Sequence, residues 1–141
     1  MLARFCKKKR LGVVSNFFIP FLPAQYLEFF GLAQYFDFIL DSADFGFKKP
    51  DPRIFYRALE LAGLTIQQAD RVLFIGDRLA LDFFPAKALG MQSLHFNRSR
   101  DRPSTAVSQP GVTAIYHWDE LLASPAYKGS AGIILDQFLP A

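Results

Sequence analysis

Short apolar runs alternate with longer amphipathic segments along the chain. The apolar runs, which are typical of buried strands, are 11–14, 36–40, 71–75, 92–96 and 112–116. The segments with a helical pattern are 23–30, 80–89 and 118–122, together with a stretch that begins at Asp51-Pro52 and ends at Gly63. The runs lack polar alternation, as expected for strands covered on both faces. Strands separated by helices of this length predict an α/β fold, a Rossmann-like doubly wound parallel sheet.

The domain organisation follows from the same pattern. A chain of 141 residues suits one domain with one core. We assign 1–123 to that single domain and 124–141, which glycine and proline interrupt, to a C-terminal tail of uncertain role. Residues 132–135 could form a last strand or an ordered part of the tail, and the Ser/Pro/Arg-rich segment 98–111 is predicted to be a surface loop.

Composition narrows the classes of function. The chain is 51% hydrophobic and 21% charged, so it is globular rather than disordered. A net charge of +3 is too small to indicate a nucleic-acid partner, and we interpret the basic clusters 7–10 and 98–102 as solvated. One cysteine excludes a disulfide framework. Neither a signal peptide nor an apolar run of roughly 18 residues, the length of a membrane span, is found, so no membrane and a cytoplasmic location are expected.

Polar residues follow three of the predicted strands. Ser15 and Asn16 come directly after the first strand, and Lys49 follows the second across a loop. Asp77 ends the third, and Asp82 lies five positions further on. Because ligands of open parallel sheets bind beyond the carboxyl ends of the strands, these side chains are expected to converge at one edge.

The residue types at this edge suit a phosphoryl group together with a metal ion. A hydroxyl such as that of Ser15 can hold phosphate oxygens, and a lysine such as Lys49 offsets negative charge that develops on them. Carboxylates such as those of Asp77 and Asp82 are the hard oxygen ligands that Mg²⁺ prefers. The sequence therefore predicts a phosphate site with Mg²⁺ as its cofactor.

Three segments in order resemble the haloacid dehalogenase-like (HAD) hydrolase superfamily. "LGVVSNF" at 11–17 is similar to its second motif, an apolar strand that ends in Ser or Thr. "SADFGFKKPDPRIF" at 42–55 resembles the third motif, with its lysine at Lys49. "VLFIGDRLALD" at 72–82 resembles the fourth, Gly-Asp followed by a second Asp, and "AKALGM" at 86–91 is similar to the usual continuation. Each motif alone is weak, but the three in order are highly specific.

The resemblance implies a role for each matching residue. Ser15 would hydrogen-bond the phosphoryl group, Asn16 would position the substrate, and Lys49 would orient and neutralise the nucleophile and the phosphate. Asp77 would bind Mg²⁺, with Asp82 as a second carboxylate at the metal or bonded to Lys49. The implied function is a Mg²⁺-dependent phosphatase that acts on a small phosphate ester through an aspartyl-phosphate.

One part of the family pattern lies outside the matched segments. The family begins with a strand that ends in Asp-x-Asp, whose first Asp attacks phosphorus and whose second is the general acid and base. This sequence starts after that point, so the expectation is a truncated HAD-like core without its first, central strand, inactive alone. The strands on either side would pair directly or leave unpaired backbone. A complementing N-terminal segment or homo-oligomerisation could complete the core.

Three alternatives stay open. Asp136 ends the apolar run 133–135 and could be a circularly permuted nucleophile, although Phe138 stands where the acid/base would be. The chain could instead be a non-catalytic remnant that binds phosphate, metal or a protein partner without turnover. A dehalogenase-type member would also need the missing aspartate but not the Mg²⁺ site.

Overall fold

A computed structural model describes residues 2–97 and 110–136 as a parallel sheet with helices on both faces. The six strands are β1 (Arg10–Ser15), β2 (Phe38–Asp41), β3 (Val72–Gly76), β4 (Gln92–Phe96), β5 (Ala114–Ile115) and β6 (Gly132–Leu135). They are all parallel and follow the order β2-β1-β6-β3-β4-β5 across the sheet. The predicted α/β, doubly wound fold class is confirmed.

The helices are short. They are α1 (Leu2–Cys6), α2 (Leu22–Phe29), α3 (Ser42–Phe45), α4 (Pro52–Leu61), α5 (Phe84–Ala88), α6 (Trp118–Ala123) and α7 (Pro125–Gly129), with 3₁₀ turns at Ala33–Tyr35 and Ile66–Arg71 and a π-helical turn at Leu79–Phe83. The predicted start of α4 is observed: the Asp51 carboxylate accepts a hydrogen bond from the Arg53 N–H at 2.9 Å, and Pro52 fills the first turn. None of the helices in the described segments is long and apolar enough to cross a membrane.

Alternate residues of the central strands pack on opposite faces of the sheet. In β3, Val72 and Phe74 join the cluster beneath α4, whereas Leu73 and Ile75 join the cluster beneath α1, α6 and α7. In β6, Ile134 belongs to the first cluster and its two neighbours belong to the second. Because both faces of these strands are buried, their sequences are continuous apolar runs.

The centre of the sheet is occupied by the strand that comes last in the described chain. Leu135 of β6 pairs with Val13 of β1 on one side and with Ile75 of β3 on the other. The Asp136 N–H donates to the Ile75 carbonyl at 2.8 Å. The two arrangements expected for β1 and β3, direct pairing or unpaired backbone, are therefore both wrong, because β6 satisfies the facing backbone groups of both strands.

The predicted helix at 80–89 is divided in two. Leu79–Phe83 forms the π-helical turn, and α5 begins at Phe84 with Pro85 in its first turn. A proline cannot donate the hydrogen bond that a continuous helix would need, and its ring would collide with the carbonyl four residues earlier. The predicted surface loop 98–111 lies outside the described residues, except for 110 and 111. Its basic cluster at 98–102 lies wholly outside them.

Candidate active site

The Lys49 ammonium lies at the centre of a buried polar cluster. The residue is only 2% exposed. Its Nζ donates to the Val14 carbonyl at 3.1 Å and to Oδ1 of Asp82 at 2.7 Å. It also donates to Oδ1 of Asp136. These three acceptors satisfy the three N–H groups of the buried ammonium.

The backbone of Lys49 is fixed by Asn16. The Asn16 side chain donates from Nδ2 to the Lys49 carbonyl at 2.9 Å and accepts from the Lys49 N–H at 2.8 Å. This reciprocal pair links the end of β1 to the loop after α3, so it sets where the lysine side chain starts. In this structure, Asn16 therefore positions Lys49. Its expected contact with substrate stays a prediction.

The π-helical turn directs the Asp82 side chain towards the end of β3. The Asp82 N–H donates to the Arg78 carbonyl at 2.8 Å, and Oδ2 accepts from the Arg78 N–H at 3.0 Å. With Oδ1 on Lys49, both carboxylate oxygens are engaged and the residue is fully buried. A Cβ on Gly76 would lie 2.4 Å from the Cβ of Asp82, so only glycine lets this carboxylate sit so close to the strand.

Three carboxylates meet at this edge. One oxygen each of Asp77, Asp82 and Asp136 lies within 4.8 Å of the others. They come from the end of β3, the π-helical turn and the end of β6. Three hard oxygen donors facing a single ammonium leave a surplus of negative charge, and this donor set fits Mg²⁺. Burial raises the pKa of Asp136 to about 6; the Lys49 ammonium opposes this shift and the Asp82 charge adds to it.

Ser15 lies at the same edge. It is 2% exposed at the end of β1, directly after Val14, whose carbonyl accepts from Lys49. The structure thus places the predicted residues Ser15, Lys49, Asp77 and Asp82 together at the carboxyl ends of β1 and β3. Their individual roles stay predictions.

Asp136 is the residue of this cluster that the sequence indicates only as an alternative. Its signal was present: an apolar run of strand length followed directly by Asp. The pattern could not show that this strand lies between β1 and β3, because the order of strands in a sheet is not their order in the chain.

His95 lies at the border of the site. It lies in β4, in register with Gly76 and thus beside Asp77. Burial lowers its pKa, and the charges of Asp77 and Asp82 oppose that shift. Within the described residues its buried Nδ1 has no hydrogen-bond partner.

A cavity of about 270 Å³ lies at the opposite, amino ends of the strands, where Arg10, Asp37 and Arg71 contribute to its lining. The Arg10 guanidinium is already bonded there, to Asp37 at 3.4 Å and to the Ala62 carbonyl at 2.9 Å. Ligands of open α/β sheets bind at the carboxyl ends. The buried lysine and the carboxylate cluster, rather than this cavity, therefore define the candidate site.

The fold and the site together define an α/β protein. It has a doubly wound parallel sheet, with a buried lysine and clustered carboxylates at the carboxyl edge. The sequence profile described as haloacid dehalogenase-like hydrolase matches residues 2–90, more than half of the chain. The chain belongs to this family, as the three motifs indicate.

Relatives within the family include a fly protein and a bacterial enzyme. The chain is 41% identical over 87 residues to the Rhythmically expressed gene 2 protein of Drosophila melanogaster, covering 62% of this chain and 33% of the relative. It is 31% identical over 114 residues to the Pyrimidine 5'-nucleotidase YjjG of Escherichia coli (strain K12), covering 80% and 49%. The chain thus spans between a third and a half of the length of these relatives.

A solved structure is similar to this chain in fold. The 2-haloacid dehalogenase from Pseudomonas syringae pv. Tomato DC3000 superimposes with a TM-score of 0.68 at 27% sequence identity. The match covers 86% of this chain and 48% of the dehalogenase. The proteins that the chain resembles thus include a pyrimidine 5'-nucleotidase and a 2-haloacid dehalogenase.

Proposed function

We propose that this chain carries the phosphate- and Mg²⁺-binding site of a phosphatase that acts on a small phosphorylated metabolite. The observation that carries the proposal is the cluster in which Lys49 bonds to Asp82 and Asp136 with Asp77 alongside. The similarity to a pyrimidine 5'-nucleotidase supports it. A dehalogenase-type member would not need the Mg²⁺ site, for which Asp77 and Asp82 are suited.

Each residue has a definite task in this proposal. Asp77 and Asp82 hold Mg²⁺, which when bound supplies positive charge beside the phosphoryl oxygens. Ser15 donates its hydroxyl to a phosphoryl oxygen. Lys49 orients the neighbouring carboxylates and offsets charge that develops during transfer. Asn16 holds the Lys49 backbone in place for this task.

Addition of Mg²⁺ is expected to stabilise the metal-free protein, because a bound dication relieves repulsion among the three carboxylates. At a concentration about 100 times the dissociation constant, the gain is about 2.7 kcal/mol. Thermal unfolding in chelator and in rising Mg²⁺ measures it. Asp77→Asn should greatly weaken the response, and the exposed Asp70→Asn should keep it. A response equal in all three proteins, or absent from the unsubstituted one, would refute the metal site.

We further propose that the chain alone gives no sustained turnover of p-nitrophenyl phosphate with Mg²⁺. The residue two positions after Asp136 is Phe138, which lies outside the described residues and whose side chain cannot move a proton. This is the observation that favours the second candidate function, a binding protein derived from the phosphatase. Many turnovers per molecule, abolished by Asp77→Asn, would exclude that second candidate.

A further inference from the structure

We propose that an exposed aromatic patch, on α2 and the turn before it, is the surface through which two copies of this chain associate. The patch consists of five side chains within 13 residues: Phe18, Phe21, Tyr26, Phe29 and Phe30. Phe18 is 96% exposed and Phe29 is 82% exposed, and the other three are 40–55% exposed. Single exposed hydrophobic residues are normal on a protein surface, but a group of this size marks a site of interaction.

One face of α2 is buried and another face carries the patch. Pro23 and Leu27, four positions apart, are the buried residues of the helix. Tyr26, Phe29 and Phe30 follow the i, i+3, i+4 spacing of a single helical face, and the ring centroids of Phe29 and Phe30 lie 5.2 Å apart. The helix therefore has an apolar stripe in addition to the one that packs on its own chain.

The turn that carries Phe18 and Phe21 is held by buried groups of β2 and α3. The Ser42 hydroxyl accepts from the Phe17 N–H at 3.0 Å and donates to the Phe17 carbonyl at 3.2 Å. The Asp41 carboxylate accepts from the N–H of Phe21, whose φ is 64°, at 3.0 Å. A left-handed conformation is costly for a bulky residue and persists only when the surrounding structure fixes it. The rings are thus presented on a fixed backbone, which lowers the entropy cost of association.

The charge pattern of this segment favours a second copy of the chain over a membrane. Glu28 is the only charged residue between Arg10 and Asp37, and neither Lys nor Arg occurs between Arg10 and Lys48. A surface that binds anionic lipid combines apolar side chains with lysines and arginines, which this segment lacks. Few charges and many aromatic residues are instead the composition of the core of a protein–protein interface. Two copies of the patch can meet without repulsion between clusters of like charge.

The area of the patch is of the size that a stable pair requires. At roughly 150–250 Å² for each aromatic side chain, the five exposed fractions correspond to about 500–800 Å² per chain. Two patches that face each other would bury about 1,000–1,600 Å², compared with about 1,200–2,000 Å² in stable interfaces. Because the same surface serves both copies, the contact closes with two-fold symmetry. The expected species is therefore a dimer.

Analytical ultracentrifugation of the full chain, over a wide range of protein concentration, tests this proposal. We expect a reversible equilibrium between monomer and dimer, with no larger species. Phe29→Glu places a charge at the most exposed aromatic position of α2 and should raise the dissociation constant about tenfold or more. Phe18→Glu, in the turn, is a second variant that should act in the same direction.

The matched control is Phe84→Glu, which introduces the same charge at an exposed phenylalanine outside the patch. Phe84 is 47% exposed at the start of α5, whose Ala86 packs in the cluster beneath α4. This variant should leave the dissociation constant unchanged. Circular dichroism shows that each variant keeps its fold.

Hydrogen exchange locates the contact. The amides of residues 18–30 should exchange more slowly at high protein concentration than at low, whereas those of α4 should not depend on concentration. A chain that stays monomeric throughout would overturn the proposal, as would a dimer that Phe29→Glu and Phe18→Glu leave intact. A monomer that binds vesicles of phosphatidylcholine and phosphatidylserine through residues 18–30 would also overturn it, and would assign the patch to a lipid surface.

Discussion

Replacing Lys49 by methionine is expected to cost about 3–5 kcal/mol of unfolding free energy, a large share of the roughly 5–15 kcal/mol that stabilises a typical domain. The side chains of Lys49 and Asp82 are 1% and 0% exposed and lie 2.7 Å apart. Methionine keeps most of the volume but leaves the carboxylates of Asp82 and Asp136 without their ammonium. The cost is that of a buried charge without a partner rather than that of a lost contact.

Urea denaturation in chelator measures this loss, and the chain provides its own control. Lys48→Met alters the adjacent, exposed lysine and should change stability by less than about 0.5 kcal/mol. The double variant Lys49→Met/Asp82→Asn should recover part of the loss, because the two sites are coupled. If Lys49→Met were as stable as Lys48→Met, the buried cluster would not exist in solution.

Ile134→Ala is expected to cost about 2–5 kcal/mol, the range for truncating a large aliphatic side chain in a packed core. Ile134 is 2% exposed in the middle of β6 and packs with the cluster that contains Phe74 and Val14. A side chain in a loosely attached tail would be replaced at almost no cost. The size of the effect therefore reports whether β6 belongs to the sheet.

The matched control is Ile19→Ala, which removes the same atoms from a side chain that is 56% exposed. It should change stability by less than about 0.5 kcal/mol. Chemical denaturation of both variants gives the comparison directly. Equal, small effects at Ile134 and Ile19 would mean that residues 132–135 do not fill the centre of the sheet.

Much of the fold could be predicted because its signals are local. The apolar run at 92–96 matches β4, and Asp51 with Pro52 marks the start of α4. The convergence of Ser15, Lys49 and Asp77 followed from a general property of parallel sheets, that their carboxyl ends meet at one edge.

The remaining features depend on contacts between distant parts of the chain. Nothing near residues 132–135 encodes that their neighbours are β1 and β3, so the pattern gives the strand but not its place. The reciprocal pair of Asn16 with the Lys49 backbone joins residues that are 33 positions apart. The π-helical turn that aims Asp82 depends on the space left by Gly76, which spacing alone does not reveal.

We propose that the ends of β3 and β6 and the π-helical turn form one metal-binding phosphate site. Substituting Mn²⁺ for Mg²⁺ tests it most directly, because a paramagnetic ion broadens the nuclear magnetic resonance signals of nearby amides. The amide signals of Asp77, Asp82 and Asp136 are expected to broaden together at low Mn²⁺ and to recover when Mg²⁺ is added in excess. Broadening at Asp77 and Asp82 with a sharp, unshifted signal from Asp136 would show that the end of β6 is not part of the site.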